Sequence, residues 1–477
     1  MVLVNALHRI ARIDRASGAP IRFAALRPDE AGKTFMTISA RILLVGGSKA
    51  LRLFAEDLLK SGHPAYRAEA LAQAIEAARA ECPDVVLVEH ALLGDAKAFA
   101  TTMAEACAPF RPVLVVTSPD GIEKERRAEL ESVVDEVLVG PVDAATALFR
   151  LEPLARLVTM RNELALRHVT ATRLAAQTDS RPGAPADVPV LILASDPKHS
   201  ASLGRAVDLA GARSVFSDDP FQAERILASE ECGALVAIAD GESRDGVLSL
   251  CYQLRKNARL FHLPVLLVAE SSLAGKPVDA YAQGASLVVP IGIAPDALAA
   301  EIASQLQRHR RRRALRDHLT AAIPSACLDP TTGLVGENFL MTHLATLLDA
   351  HGPRRRPLSL VVFAIRNLDA AVAEHGADAA AQLHGEVAHW IQRLVRAEDT
   401  AACLGGGEFA VALPNADDTD ARSLMYRIDD VLSHTQFGVA GEPFNLWIAA
   451  GRATAHPRES ASAFLANARA AVGEPQH

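Results

Sequence analysis

Short apolar runs, each bounded by Gly, Pro or charged positions, recur through the first two thirds of the chain. Examples are Arg41-Ile42-Leu43-Leu44-Val45, Val85-Val86-Leu87-Val88-Glu89 and Pro112-Val113-Leu114-Val115-Val116. Alanine-rich stretches with helical spacing separate them. Continuous strand-sized runs alternating with amphipathic helices predict a parallel sheet covered on both faces, wound in the doubly wound manner. The pattern occurs twice. Arg41 to Val45 returns as Val188 to Leu193, Pro112 to Val116 as Pro264-Val265-Leu266-Leu267-Val268, and Val139-Gly140-Pro141-Val142 as Val288-Val289-Pro290-Ile291, with the matched prolines about 150 positions apart. Such self-similarity marks an internal repeat of one α/β unit. The last third has another rhythm. Leu358 to Ile365 reads as a strand, and Ala410-Val411-Ala412-Leu413-Pro414 as a strand returning from Gly405-Gly406-Gly407, which predicts a hairpin turn.

These elements set the expected boundaries: α/β units over 41–177, 188–318 and 319–477, with a linker over 178–187. The linker, Thr178-Asp179-Ser180-Arg181-Pro182-Gly183-Ala184-Pro185-Ala186-Asp187, is built of turn formers. Residues 1–40 stand apart, with Arg9, Arg12, Arg15, Arg22 and Arg27 among glycine and proline and no strand-like run. One reading of this arm is a targeting or lipid-binding segment. The simpler expectation is a disordered or mis-started extension, with Met36 opening the natural chain.

Composition narrows the class. At 477 residues, three units can each bury a core. Half the residues are hydrophobic and the net charge is −8, which argues against a disordered chain and against a general nucleic-acid surface. Cys82, Cys107, Cys232, Cys251, Cys327 and Cys403 are scattered without a C-x-x-C pair, the pattern of reduced thiols and not of a disulfide framework or zinc site. No apolar run approaches the ~20 residues that cross a bilayer, so no membrane insertion and a cytoplasmic location are expected.

Chemistry-bearing motifs sit in the last unit. Leu328-Asp329-Pro330-Thr331-Thr332-Gly333-Leu334 precedes the strand at Leu358, and Arg396-Ala397-Glu398-Asp399 stands five residues before Gly405-Gly406-Gly407-Glu408-Phe409. In order and spacing this resembles the GGDEF (diguanylate cyclase) family from Cys327 to Gly473, and the two earlier units resemble response-regulator receiver domains. The fold class this implies is α/β: two doubly wound receiver-like (flavodoxin-like) domains plus a GGDEF, nucleotidyl-cyclase-like α/β domain.

Joining two GTP molecules needs carboxylates that hold divalent metal against the phosphates. In the family these come from a D-x-D-like strand end and from the third residue of the glycine turn. Here the strand end reads Phe363-Ala364-Ile365-Arg366-Asn367-Leu368, and the third turn residue is Gly407. The positions that usually read the substrate guanine fall at Val372 and Ala381, and the basic final helix is reduced to Leu465-Ala466-Asn467-Ala468-Arg469-Ala470-Ala471-Val472. Glu408 alone cannot assemble a site. The resemblance therefore implies a degenerate cyclase with no catalytic residues and no metal.

A ligand-gripping pair survives. In the family an R-x-x-D five residues ahead of the glycine turn binds cyclic di-GMP, and Arg396, Asp399 and the interval Thr400 to Leu404 fit that rule. A guanidinium fork donates to guanine O6 and N7 while a carboxylate accepts from the N1–H and N2–H edge; lysine lacks the planar fork. Arg427 matches the family's second arginine, and Arg213, at the start of a receiver strand, is the candidate for an arginine reaching over from a receiver. The bland alternative is a surface ion pair at helical spacing. Arg354-Arg355-Arg356 is a candidate for further ligand contact. Arg308-His309-Arg310-Arg311-Arg312-Arg313 reads more simply as a solvated face of an interdomain or dimer-forming helix than as a phosphate-binding run.

Receiver chemistry needs an acidic pair, a phosphoryl-accepting aspartate, a Thr or Ser and a lysine before proline. The first unit offers Gly46-Gly47, Glu89, Thr117 and Gly140; the second offers Ala194-Ser195-Asp196, Asp240, Ala269 and Val289. Glu89 is read as a strand-end carboxylate before a phosphoaspartate mimic, and Asp240 is the one position worth a phosphorylation test.

The receiver–receiver–GGDEF order resembles PleD-type regulators, and the loss of catalysis with the pair retained resembles a degenerate, PopA-like branch of them. That resemblance implies a non-catalytic cyclic di-GMP receptor and signalling adaptor, recruiting partners for ClpXP-type regulated proteolysis in bacterial cell-cycle control. It also implies a homodimer, no nucleic-acid partner and recruitment to a cell pole. The alternative is a ligand-independent protein scaffold.

Overall fold

The structure, a computed structural model, describes residues 40–473 apart from 61–64, 119–120, 140–143, 177–187, 440–441 and positions 230, 242, 258, 259 and 276. The expected extension, but for Ala40, and the expected linker lie outside the described residues.

The first unit runs β1 (Ile42–Val45), α1 (Lys49–Lys60), β2 (Ala65–Ala68), α2 (Leu71–Glu81), β3 (Val85–Glu89), α3 (Ala96–Ala106), β4 (Val113–Ser118), α4 (Lys124–Val133), β5 (Glu136–Val139) and α5 (Ala144–Arg173). Its strands pair in parallel in the order β2-β1-β3-β4-β5, the flavodoxin-like doubly wound arrangement. The continuous apolar runs have a direct cause: alternate side chains of β1 enter different cores. Ile42 and Leu44 pack with α1 and α5, while Leu43 and Val45 pack with α2 and α3.

The second unit repeats it with β6 (Val190–Leu193), α6 (Pro197–Leu209), β7 (Ser214–Ser217), α7 (Pro220–Ser229), β8 (Ala234–Ala239), α8 (Arg244–Lys256), β9 (Val265–Ala269), β10 (Leu287–Pro290) and α9 (Pro295–Ala321). Strand order is β10-β9-β8-β6-β7, again parallel. The third unit comprises β11 (Val335–Gly336), α10 (Glu337–His351), β12 (Leu358–Ile365), α11 (Leu368–His375), α12 (Ala377–Leu394), β13 (Thr400–Gly405), β14 (Glu408–Pro414), α13 (Asp418–Ser433), a hairpin of β15 (Phe437–Val439) and β16 (Glu442–Phe444), β17 (Ile448–Thr454) and α14 (Ala461–Ala470). Its sheet, β11-β13-β14-β12-β17, is antiparallel but for β11 against β13.

Helices α5 and α9, 30 and 27 residues long, outgrow their own sheets. At ~1.5 Å per residue each extends about 40 Å or more. Both reach the third unit: Leu166 joins the cluster of Phe339, Leu340 and Leu344, and Leu319 packs beside Ala397. The basic run of α9 packs among the first and second units. Arg308, with Arg150, pairs with the buried Glu136; Arg313 pairs with Glu231 at 2.6 Å; Arg312 and Arg156 both stand over the Phe261 ring. The expectation of an interdomain helix face thus describes the run better than a phosphate-binding one.

Arg354-Arg355-Arg356 corrects a reading of the sequence. Arg356 is buried, pairs with Asp84 of the first unit and donates to the Cys82 carbonyl at 2.7 Å; Arg354 donates to the Ala108 carbonyl at 2.6 Å and covers Phe110. Arg41 answers from the other side, donating to the carbonyls of Arg354 and Arg355 at 2.8 and 2.6 Å. Arg354 and Arg356 fasten two units together and are spent there, while the Arg355 side chain is exposed. Arg356→Ala would leave the buried Asp84 carboxylate without its charged partner, holding only the Arg41 amide, a loss of up to about 3–5 kcal/mol. Urea unfolding of the full chain should show its first transition at lower urea; an unchanged first transition would mean that the pair contributes nothing to docking.

Candidate functional site

Helix α12 ends at Leu394, and the chain turns through Arg396-Ala397-Glu398-Asp399 before entering β13. The turn closes on itself. The Asp399 amide donates to the Arg396 carbonyl at 3.2 Å, and the Arg396 amide donates to Asp399 Oδ2 at 2.8 Å. Asp399 is 7% exposed and Glu398 3%. Burial pushes the Asp399 carboxyl up to about 7; Arg396 pulls it down, Glu398 adds to the rise, and Arg427 also pulls it down. Arg427 stands on the exposed face of α13, donates to the Leu394 carbonyl at 2.8 Å, and borders a surface depression of about 450 Å³. Desolvation, then the like charge of Arg396, lowers its pKa, and Asp399 opposes them.

Arg396, Asp399 and Arg427 are thus gathered around one loop. Arg213 is not. It heads β7 on the second sheet, with its carbonyl bonded to Val190 and its side chain exposed, and it has no hydrogen bond or ion pair to the loop among the described residues. Other arginines stand near the loop: Arg156 of α5, whose charge is felt at Arg427 and Asp420, and Arg312 of α9, which feels the charge of Glu398. Sequence reading passed over Arg156 because nothing in the spacing of a long helix says which of its faces meets another unit.

Across the sheet lies the glycine turn. Gly405, Gly406 and Gly407 have φ of +81°, +59° and +81°, left-handed conformations that glycine adopts without steric cost. Ala364 pairs directly opposite Glu408, and the Ile365 amide donates to the Gly407 carbonyl at 2.9 Å. The positions of the expected metal acids are therefore adjacent, and they hold Ala364, Gly407 and Glu408. The Glu408 carboxylate is gripped by Arg469 of α14 at 2.9 and 2.6 Å. A protein cation sits on the one acid of the turn. Val372 and Ala381 are exposed on α11 and α12, and Arg366 is exposed at the strand end. Among the described residues, no group of three or more His, Cys, Asp and Glu side chains is placed to hold a metal ion.

The receiver-like strand ends are closed in a similar way. Glu89 accepts from the amides of Gly47 and Ser48 at 3.2 and 3.3 Å, and a Cβ on Gly46, whose φ is +152°, would lie 2.3 Å from Glu89 Oε2. A carboxylate fills the space that a side chain at Gly46 would need. Asp196 caps α6 by accepting from Lys198, and Asp240 accepts from the Ser243 hydroxyl at 2.5 Å.

With that geometry in view, likeness to known proteins is informative. Residues 326–476 match the family described as diguanylate cyclase, GGDEF domain. The chain is 27% identical over 443 residues to the response regulator PleD of Caulobacter vibrioides, covering 90% of this chain and 96% of that protein. Solved structures similar to it include the GGDEF domain of DgcB from Caulobacter crescentus in complex with c-di-GMP (22% identity, 30% of this chain, 86% of that one, TM-score 0.30) and a sensory box/GGDEF family protein from the same organism (28%, 31% and 95%, TM-score 0.29). The chain carries a GGDEF domain and is PleD-like over most of its length. No described helix is long and apolar enough to cross a membrane.

Returning one acid should not restore chemistry. At Gly407 the backbone is left-handed and a Cβ would meet Leu368 Cδ2 at 3.0 Å, so Gly407→Asp should cost about 1–3 kcal/mol of stability. Labelled GTP with Mg²⁺ should give no dinucleotide from this variant, because Ala364 still faces Glu408; turnover would show that acids at 407 and 408 suffice.

Proposed function

We propose that this chain is a non-catalytic receptor for cyclic di-GMP that works as a signalling adaptor. The observation that carries the reading is the gathering of Arg396, Asp399 and Arg427 around one loop, while the positions of the metal acids hold Ala364, Gly407 and an arginine-bound Glu408. Arg396 and Arg427 supply guanidinium forks for guanine O6 and N7 and for phosphate, and Asp399 accepts from the N1–H and N2–H edge. Arg156 and Arg312 add positive charge from the receiver-like units, the role expected of Arg213. A ligand at this junction orders the units provided it binds one arrangement better than another. Capture of partners for regulated proteolysis, homodimer formation and a cytoplasmic, pole-recruited location belong to the same proposal and rest on the family resemblance. Calorimetric titration of the full chain should give micromolar or tighter cyclic di-GMP binding that Arg396→Ala abolishes; absence of heat with the wild type removes the reading.

A second reading, a scaffold indifferent to nucleotide, is favoured by one observation: Asp399 already spends Oδ2 on its own chain. The two readings differ in pH dependence. With its carboxyl raised to about 7, Asp399 takes up a proton on folding between its ordinary pKa and that value, so its ionisation costs stability as pH rises through this window. Guanine donors favour the ionised form. Cyclic di-GMP affinity should therefore rise with pH through about 7 and level off above it, roughly tenfold between pH ~6 and pH ~8, and lose that slope in Asp399→Asn. A flat profile in a binding wild type would place the ligand elsewhere.

A further inference from the structure

Arg167, on the buried face of α5, is 3% exposed. Its guanidinium is bonded on every side. Nε donates to Glu163 Oε1 at 2.8 Å, Nη1 to the Leu319 carbonyl near the end of α9 at 2.9 Å, and Nη2 to the Ala397 carbonyl at 3.3 Å, the Asp399 carbonyl at 3.0 Å and Thr400 Oγ1 at 3.1 Å. One side chain thus holds three chain segments from three α/β units. The Nη2 acceptors are the backbone of the very loop that carries Arg396 and Asp399. Glu163 steadies the guanidinium and is itself fixed by His343 Nε2 of α10 at 2.9 Å. Desolvation pushes the Glu163 carboxyl up, but His343 and Arg167 hold it below the usual carboxylate range. The loop has its own closing bonds on one side, between Asp399 and Arg396; Arg167 supports it from behind, where the loop meets the stem helix.

We propose that Arg167 is the positioning residue of the ligand loop: by holding the carbonyls of Ala397 and Asp399 it sets how Arg396 and Asp399 are presented, and it couples occupancy of the loop to the docking of α5 and α9. This deepens the receptor reading and rests on it for the ligand alone. A planar fork is required, because five acceptors from three directions cannot be met by a point charge. Since coupling is reciprocal, what the stem does for the ligand, the ligand does for the stem.

The test uses the full chain with three variants. Arg167→Lys keeps the charge beside Glu163 and loses the fork. Thr400→Val removes one acceptor at nearly constant volume and serves if the first variant does not fold. Arg173→Ala is the control: Arg173 lies on the same helix and bonds Asp349 and Thr346 of α10, with no bond to the loop. Two readouts are taken: amide exchange over 396–400 without ligand, and calorimetric titration with cyclic di-GMP. Exchange should quicken in Arg167→Lys and Thr400→Val and stay unchanged in Arg173→Ala. Affinity should drop roughly tenfold in Arg167→Lys, less in Thr400→Val and not in the control. Added cyclic di-GMP should slow exchange in the second half of α5 in the wild type but not in Arg167→Lys. Unaltered loop exchange in Arg167→Lys and Thr400→Val, or equal effects of Arg167→Lys and Arg173→Ala, overturns the proposal. If the wild type takes up no cyclic di-GMP yet both loop variants free the loop, the receptor reading falls and the positioning role stands. If the wild type and Arg167→Lys bind equally well, the positioning role falls and the receptor reading stands.

Discussion

A carboxylate deprived of water lies where the three α/β units meet. Glu163 is 1% exposed, and an ionised group so placed is tolerated only with close positive partners and hydrogen bonds. Its partners come from different places: Arg167 one helical turn along α5 and His343 on α10. Breaking the junction would take away His343 and leave Arg167 alone to compensate the acid, so satisfying Glu163 and docking the third unit are linked. Apolar contacts such as Leu166 against Phe339 and Leu340 supply area, while the bonds of Glu163 Oε1 to both partners favour this register. His343 also meets Thr170 at 2.9 Å, and Thr170 meets Thr346 at 3.2 Å, extending the polar seam along both helices.

A second regularity links four acids at positions that resemble an enzyme's: each has a partner within the chain. Glu408 has Arg469, Glu89 has the amides of Gly47 and Ser48, Asp240 has Ser243, and Asp196 caps a helix. An unpartnered buried or crowded acid costs free energy, so internal partners are a stable solution for these acids. Gly46 illustrates the coupling: its missing side chain is the room that Glu89 occupies. Asp399 follows the same rule through the Arg396 amide, but with a difference. Its carboxyl is raised to about 7, so its internal bond does not fully compensate burial, and new donors remain favourable to it.

What could be read from sequence follows from how local each signal is. The strands announce themselves because a sheet covered on both faces demands unbroken apolar runs, and Leu358 to Ile365 falls as read. The hairpin is equally local, since three consecutive glycines between apolar runs leave little else to form. The arginine clusters are different. Arg356 and Arg312 look like ligand or solvent residues in sequence, yet each is consumed at a junction between units, and no local pattern tells a guanidinium facing a carbonyl of another unit from one facing water. Arg213 is not gathered with the loop in this structure, and Arg167 was invisible, being one more arginine at helical spacing from a glutamate.

Leverage over the whole molecule depends on what the loop's atoms are already doing. A ligand equally compatible with docked and undocked stems shifts nothing, however tightly it binds. Here the carbonyls of Ala397 and Asp399 are held by Arg167 of the stem, so a ligand on the loop meets a backbone already fixed to α5. Asp399 adds a competition, because Oδ2 bonds the Arg396 amide. A purine edge that draws the carboxylate outward would relax that inner bond, and the carbonyls of Ala397 and Asp399 would then depend more heavily on Arg167. Docking of the stem and occupancy of the clasp are in this way drawn into one equilibrium, set by the guanidinium that holds the loop's carbonyls.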